Sequence, residues 1–174
     1  MIIYATGFDA VTGPFERIDF VGLDGVHLKD KWESGPRTYL GVQTVGFPNL
    51  FTIVGPQSGP VATNFPRGIE DIVDWVTVFA EYLLEKGYTS VEPTQEAEDG
   101  WVSHVEDFAR RTLMGQADSW FTGRNTNVDR SDAPRLLIYT GGAVRYRRFL
   151  TEQAEGGYPD FILEKAVALS PAAV

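Results

Sequence analysis

A chain of 174 residues, 43% hydrophobic and 22% charged, has the size and make-up of one folded domain and not of a disordered tail. Fifteen basic against 24 acidic side chains leave a net charge of −9, which argues against general nucleic-acid binding. A sequence without cysteine excludes disulfides, thiolate catalysis and Cys-type zinc or cluster sites, and its two histidines, His27 and His104, exclude a histidine-rich metal centre.

In chain order, Ile2-Ile3-Tyr4-Ala5 reads as a short buried strand ending at Thr6-Gly7. Residues 16–28 read as a hairpin turning at Asp24-Gly25, and Trp32 to Tyr39 is turn-rich. Phe51-Thr52-Ile53-Val54 reads as a second buried strand, stopped by Gly55-Pro56. Residues 55–68, dense in Gly and Pro, form an irregular loop running into a helix start, a place where ligands dock. The 3, 4 spacing of Ile69, Ile72, Val73, Val76, Phe79, Ala80, Leu83 and Leu84 predicts a helix from Gly68 to about Lys86, capped by Gly87. After Pro93-Thr94, a stripe of Ala97, Trp101, Val105, Phe108, Ala109 and Thr112 predicts a helix ended by Gly115. Leu136 to Tyr139 is a strand candidate, followed by a short helix to about Glu155, an extended piece from Tyr158 to Leu163, and a frayed tail from 166 to 174. Strands and helices interleave, so the class is α/β or α+β, with too few strands for a complete doubly wound sheet.

The motifs carry little chemistry of their own. Ala5-Thr6-Gly7-Phe8-Asp9 is a strand end with a glycine turn, or a close backbone approach to a ligand. In Asp118 to Asn125, Trp120 and Phe121 serve equally well as packing anchors or ligand contacts. A spaced Phe20-Val21-Gly22, His27 and Trp32 misses the F-x-G-x-x-x-H-x-x-x-W flavin-monooxygenase spacing by one residue in each gap, so His27 is read as a hairpin side chain. The basic run Arg145, Tyr146, Arg147, Arg148 is read as a helix face pairing with local acids, and Glu70/Asp71, Glu96/Glu98 and Glu106/Asp107 as ordinary helix surface. No serine sits in a G-x-S-x-G elbow, and no G-x-G-x-x-G follows a strand. No apolar run approaches the roughly 18 residues that span a bilayer, and the N-terminus lacks signal-peptide character, so the expected location is cytoplasmic.

Read in order, these clusters resemble the C-terminal portion of Baeyer–Villiger monooxygenases, flavoenzymes of the cyclohexanone and phenylacetone monooxygenase type. The matching residues are Tyr4 to Gly13, Trp32 with Gly35 to Gly41, Phe47 to Phe51, Gly55-Pro56, Thr63-Asn64, Ile69-Glu70, Ser119-Trp120, Gly123 with Asn125, and Gly141-Gly142 with Tyr146-Arg147. They run collinearly over about residues 2–163. The resemblance implies an α/β fold, the C-terminal part of an FAD/NAD(P)-binding flavoprotein monooxygenase, with an incomplete sheet plus packed helices. It implies residues 1–165 as the C-terminal segment of the FAD domain, divided into a strand and hairpin part (1–57) and a helical part (58–165) with a lid loop at about 116–135.

The resemblance further implies FAD and NADPH as cofactors, a small ketone as substrate and an ester or lactone as product. The family's FAD loop, its flavin-monooxygenase signature, its NADPH domain and its catalytic arginine all lie upstream of the matched region. Met1 therefore corresponds to an internal position, no catalytic residue is expected in this chain, and the chain alone is expected to bind no cofactor and to be inactive. Gly55, Pro56, Thr63 and Asn64 are carried over as the FAD side, Pro60, Val61 and Ala62 as the wall of the ketone pocket, and Trp120 and Asn125 as the lid over NADP. The lid departs from the family's Gly-Ala-Asn-x-Pro-Gly-Lys pattern: Arg124 replaces alanine, Asn127 replaces proline, and Asp129 stands where lysine is expected. The alternative reading is a non-catalytic remnant or interaction module that self-associates, or pairs with the missing half, through an uncovered apolar surface.

Overall fold

The computed structural model describes residues 1–4, 11–59, 64–113, 120–123 and 136–166. Two short helices open it, α1 (Gly13–Arg17) and α2 (Leu28–Lys31); then come the long α3 (Phe65–Lys86), β1 (Ser90–Pro93), α4 (Gln95–Arg110), α5 (Ala143–Glu155) and β2 (Phe161–Glu164). The architecture is a partial α/β fold, packed helices around a two-stranded sheet. β1 and β2 pair antiparallel with Ser90 opposite Glu164 and Pro93 opposite Phe161.

The long helices follow from local chemistry. Asn64 Oδ1 accepts from the Arg67 N–H at 3.2 Å and Pro66 occupies the first turn, where its missing N–H costs nothing. Helix α3 thus starts three residues earlier than its apolar spacing indicates. It ends at Gly87, left-handed at φ 71°, with the Tyr88 N–H bonded to Leu83 O. Its inner face, Gly68, Ile72, Trp75 and Phe79, meets α5, where Trp75 Nε1 donates to Leu150 O at 2.8 Å. The Phe79 ring stacks on Tyr158 at 3.7 Å. Thr94 caps α4 through the Ala97 N–H, and Trp101, Val105 and Ala109 are buried. α4 stops at Arg110, short of the predicted end at Gly115, which lies outside the described residues.

The core joins α3, α4, α5, the sheet and the Tyr39–Val42 turn; a smaller cluster of Leu28, Trp32 and Phe47, flanked by Phe15, Phe20 and Leu50, sits beneath the hairpin. That hairpin is reduced to one bridge, Val21 with His27, around Asp24 and Gly25, both left-handed.

Three predicted strands are not strands. Residues 1–4 form no ladder and Ile2 is 79% exposed, because no described segment pairs with them; Ala5 lies outside the described residues. Phe51 to Val54 is a turn segment: Thr52 bonds Val42 and Gly41, and Val54 is left-handed at φ 56°, which no ladder tolerates. Leu136 to Tyr139, half-buried at Leu136 and buried from Leu137 on, bonds loops instead of a neighbouring strand, with Leu137 held by Phe121 and Gln57, and Tyr139 by Ser58. The predicted extended piece at the C-terminal end is β2. Among the described residues no helix is long and apolar enough to cross a membrane.

Candidate functional site

The loop that the sequence marks for ligand contact, residues 55–59, is buried and fixed by side chains from distant segments. Gln57 holds it. At φ 66° its backbone is left-handed, a strained choice for a side chain that must carry a Cβ. Every polar group of this buried residue is used. Nε2 donates to Pro36 O at 2.9 Å, Oε1 accepts from Thr38 Oγ1 at 2.9 Å, the N–H donates to Leu137 O at 2.8 Å, and the carbonyl accepts from Trp101 Nε1 at 3.3 Å. Thr38 Oγ1 also lies 3.0 Å from Pro56 O, so the hydroxyl straddles the loop.

Packing leaves no slack. A Cβ on Gly55 would stand 2.3 Å from Thr52 Oγ1, and one on Gly59 2.4 Å from the Tyr146 ring. Tyr146 in turn donates to Leu40 O at 2.6 Å, tying α5 to the loop's other side. Within this shell Ser58 Oγ is fully buried and has no hydrogen-bond partner among the described residues. Such an orphan hydroxyl carries a desolvation cost until another group reaches it.

A buried carboxylate supports the same region. Glu98, read from the sequence as helix surface, is 0% exposed. Its Oε2 accepts from the Val45 N–H at 2.8 Å and its Oε1 faces Lys31 Nζ at 3.1 Å and Arg37 Nε at 3.4 Å. The reason is its place on α4, in register with Trp101 and Val105 on the inward stripe, where three donors from the 31–45 segment meet it. Asp71, also read as helix surface, is 14% exposed and pairs with Arg147 of α5 at 2.5 Å, because α3 and α5 pack together, whereas Glu152 pairs locally with Arg148 at 2.6 Å.

The histidines are not a catalytic pair. His27 bonds exposed Asp19 at 2.6 Å, the side-chain role expected of it. His104 packs against both Trp101 and Tyr139, rings that also touch each other, and lies 3.3 Å from Tyr139 Oη, on an open cleft of about 610 Å³ also lined by Tyr39, Phe149 and Asp160. Desolvation, then the Arg145 charge, lower its pKa below the usual histidine value, so it is neutral at neutral pH. Burial, with Asp160 hydrogen-bonded at 2.5 Å, pushes the Tyr39 phenol far above its ordinary range, leaving it a fixed donor. Among the described residues neither histidine bonds a serine, and no three His, Asp or Glu side chains converge as a metal site.

No protein-family model matches the sequence. Curated relatives do. The 2-oxo-Δ3-4,5,5-trimethylcyclopentenylacetyl-CoA monooxygenase of Pseudomonas putida is 42% identical over 165 residues, covering 94% of this chain and 30% of the relative. A Baeyer–Villiger monooxygenase of Pseudooceanicola batsensis is 39% identical over 165 residues, covering 95% and 29%. The chain belongs to the Baeyer–Villiger monooxygenases. It spans about 30% of the length of the relatives it matches. The fold agrees: cyclohexanone monooxygenase from Rhodococcus sp. Phi1 bound to NADP+ superposes with a TM-score of 0.86 at 41% identity, covering 93% of this chain and 30% of that one. OTEMO in complex with FAD and NADP gives 0.83 at 41% identity, covering 92% and 29%.

Of the family positions carried over from sequence, the structure places Gly55 and Pro56 in the clamped loop and Asn64 at the α3 cap, bringing them to the two ends of one short stretch. Pro60, Val61, Ala62 and Thr63 between them, and Asn125 in the lid, lie outside the described residues, as does the side chain of Trp120, whose backbone forms one 3-10 turn with Phe121 and Thr122. Gln57 and Glu98 went unnoticed as site-building residues. Glu98 was findable, being a charge on an apolar stripe three residues before Trp101; Gln57 had no signal beyond its place between two glycines.

Proposed function

We propose that this chain is the C-terminal part of the FAD domain of an FAD- and NADPH-dependent Baeyer–Villiger monooxygenase of the cytoplasm, which inserts oxygen next to a ketone to give an ester or lactone. The observation that carries this reading is that similarity in sequence and in fold runs over nearly the whole chain. Residues 1–165 form that segment, with the lid at about 116–135. FAD, when bound, supplies the activation of dioxygen, with electrons from NADPH.

This chain's part is to shape the site. The 55–59 loop, held by Gln57 and without room for a Cβ at Gly55 or Gly59, is a rigid wall suited to the flavin edge. The Ser58 hydroxyl, buried without a partner, fits a site completed by a group from elsewhere. Pro60, Val61 and Ala62 shape the ketone pocket. Thr63 and Asn64 complete the flavin side, where the start of α3 favours electron-rich oxygens. Trp120 and Asn125 close over NADP and exclude water. No glycine-rich phosphate loop occurs in the sequence, so the chain alone holds neither dinucleotide and is inactive.

Two measurements test this. The purified chain, mixed with excess FAD and desalted, is expected to show no flavin absorbance; a yellow product refutes the claim that it is inactive for want of cofactor. Joined in frame to the remaining portion of the Pseudomonas putida relative, it is expected to support NADPH-dependent ester formation from a ketone. A folded, flavin-loaded fusion that oxidises no ketone refutes the assigned activity.

A further inference from the structure

Helix α3 carries two apolar stripes; the described protein buries one and touches the other only along its inner edge, at Val76. Gly68, Ile72, Trp75 and Phe79 face the core. Beside them Phe65, Ile69, Val73, Val76, Ala80 and Leu84 recur at steps of four, four, three, four and four residues, the spacing of a helix-packing seam. At 1.5 Å per residue this second stripe runs roughly 30 Å. Phe65, Ile69, Val73 and Leu84 are 45%, 37%, 41% and 78% exposed, whereas Val76 and Ala80 are half-buried. The outer border is acidic: Glu70, Asp74 and Glu81 are exposed along it.

We infer that this stripe seats an amphipathic helix with a Lys- and Arg-rich flank, supplied by the part of the family enzyme outside the matched region. The inference rests on the function proposed above. Two observations select the occupant. Relatives carry more than twice as much chain beyond the match as within it, enough to supply a helix that covers the stripe. Charge disfavours a second copy, because an antiparallel pairing through the stripe would align the two acidic borders between chains of net charge −9. A basic flank instead meets Asp74 and Glu81, beside Glu70, which Arg67 of the same helix already faces at 3.3 Å. The seat also has a consequence for the site: α3 begins directly after residues 60–63, so the docked helix fixes the point where the pocket loop ends.

Co-expression of the 174-residue chain with the complementary portion of the Pseudomonas putida relative tests this. Wild type is expected to co-purify with it, more weakly at high salt. The double substitution Ile69→Asp/Val73→Asp is expected to reduce co-purification at least tenfold, while Val78→Asp, on the exposed polar side of the same helix, leaves it unchanged. Both variants alter exposed positions, so circular dichroism is expected to show unchanged helix content, which separates docking from folding. The inference is overturned if wild type does not co-purify, if the double variant binds like wild type, or if wild type sediments as a dimer that the double variant abolishes. The fused enzyme distinguishes the two readings. Undiminished ester formation by the Ile69→Asp/Val73→Asp fusion breaks this inference alone; stripe-dependent assembly without ester formation breaks the functional reading alone.

Discussion

Replacing Glu98 probes the most consequential buried charge. The carboxylate is fully enclosed and serves the Val45 N–H, Lys31 and Arg37. Removing one member of a buried pair typically costs about 3–5 kcal/mol. The Lys31 and Arg37 side chains keep 17% and 38% of their exposure and can turn towards water, which lowers that figure. The Val45 N–H cannot turn, and an unsatisfied buried donor costs about 1–3 kcal/mol. Glu98→Ala is therefore expected to destabilise by about 3 kcal/mol. Glu98→Gln, whose amide oxygen can still accept from Val45, is expected to lose about 1 kcal/mol. With a urea slope of about 2 kcal/mol per molar, the midpoints fall by about 1.5 M and about 0.5 M. Tryptophan fluorescence reports the transition, since Trp101 lies on the same helix. A Glu98→Ala midpoint within about 0.25 M of wild type, or Glu98→Gln as damaging as Glu98→Ala, refutes the reasoning.

Gly59→Ala is expected to cost about 1–3 kcal/mol through collision with the Tyr146 ring, read as a drop in thermal midpoint; an unchanged midpoint contradicts the close packing. Asn64→Ala is expected to cost about 1 kcal/mol through loss of the α3 cap, and Asn64→Asp to restore it, as measured by urea unfolding. His104 titrates below its unfolded value of 6.5, so the folded form binds fewer protons than the unfolded chain in the window just beneath it. Stability is then complete above 6.5 and falls as pH drops through that window. His104→Phe is expected to flatten this decline in urea midpoints, and a decline equally steep in the variant argues against it.

Helices were legible where a long apolar stripe met a cap: α3 and α4 each show one in sequence, and only their ends shifted, whereas α5, without a capping side chain, was marked by the Gly141-Gly142 break before it. Short apolar runs were not legible, because burial alone does not make a ladder. Leu136 to Tyr139 is as apolar as a strand and as buried as one, yet its hydrogen bonds go to Gln57, Ser58 and Phe121. Conversely, β1 was missed because Ser90-Val91-Glu92-Pro93 carries one strongly apolar residue and a proline, and its pairing is decided by Phe161 to Glu164, far along the chain. For the site, the order of Gly, Pro and Asn residues from 55 to 64 was enough to find the loop, but not what holds it. The clamp on Gln57 is made of Pro36, Thr38, Trp101 and Leu137, and no local pattern announces a contact between segments so widely separated.

The pairing of β1 with β2 also sets an order of events during synthesis. Ser90 has no partner until Glu164 has left the ribosome, and Tyr39 waits for Asp160. Until then Val91, Phe79 and the inner face of α3 lack the cover that Tyr158 and Phe161 provide. A nascent chain halted after α5 would hold its helices without the piece that closes over them, a state open to chaperones and proteases. Among the described residues, this four-residue strand thus closes a core whose other parts are all made before it.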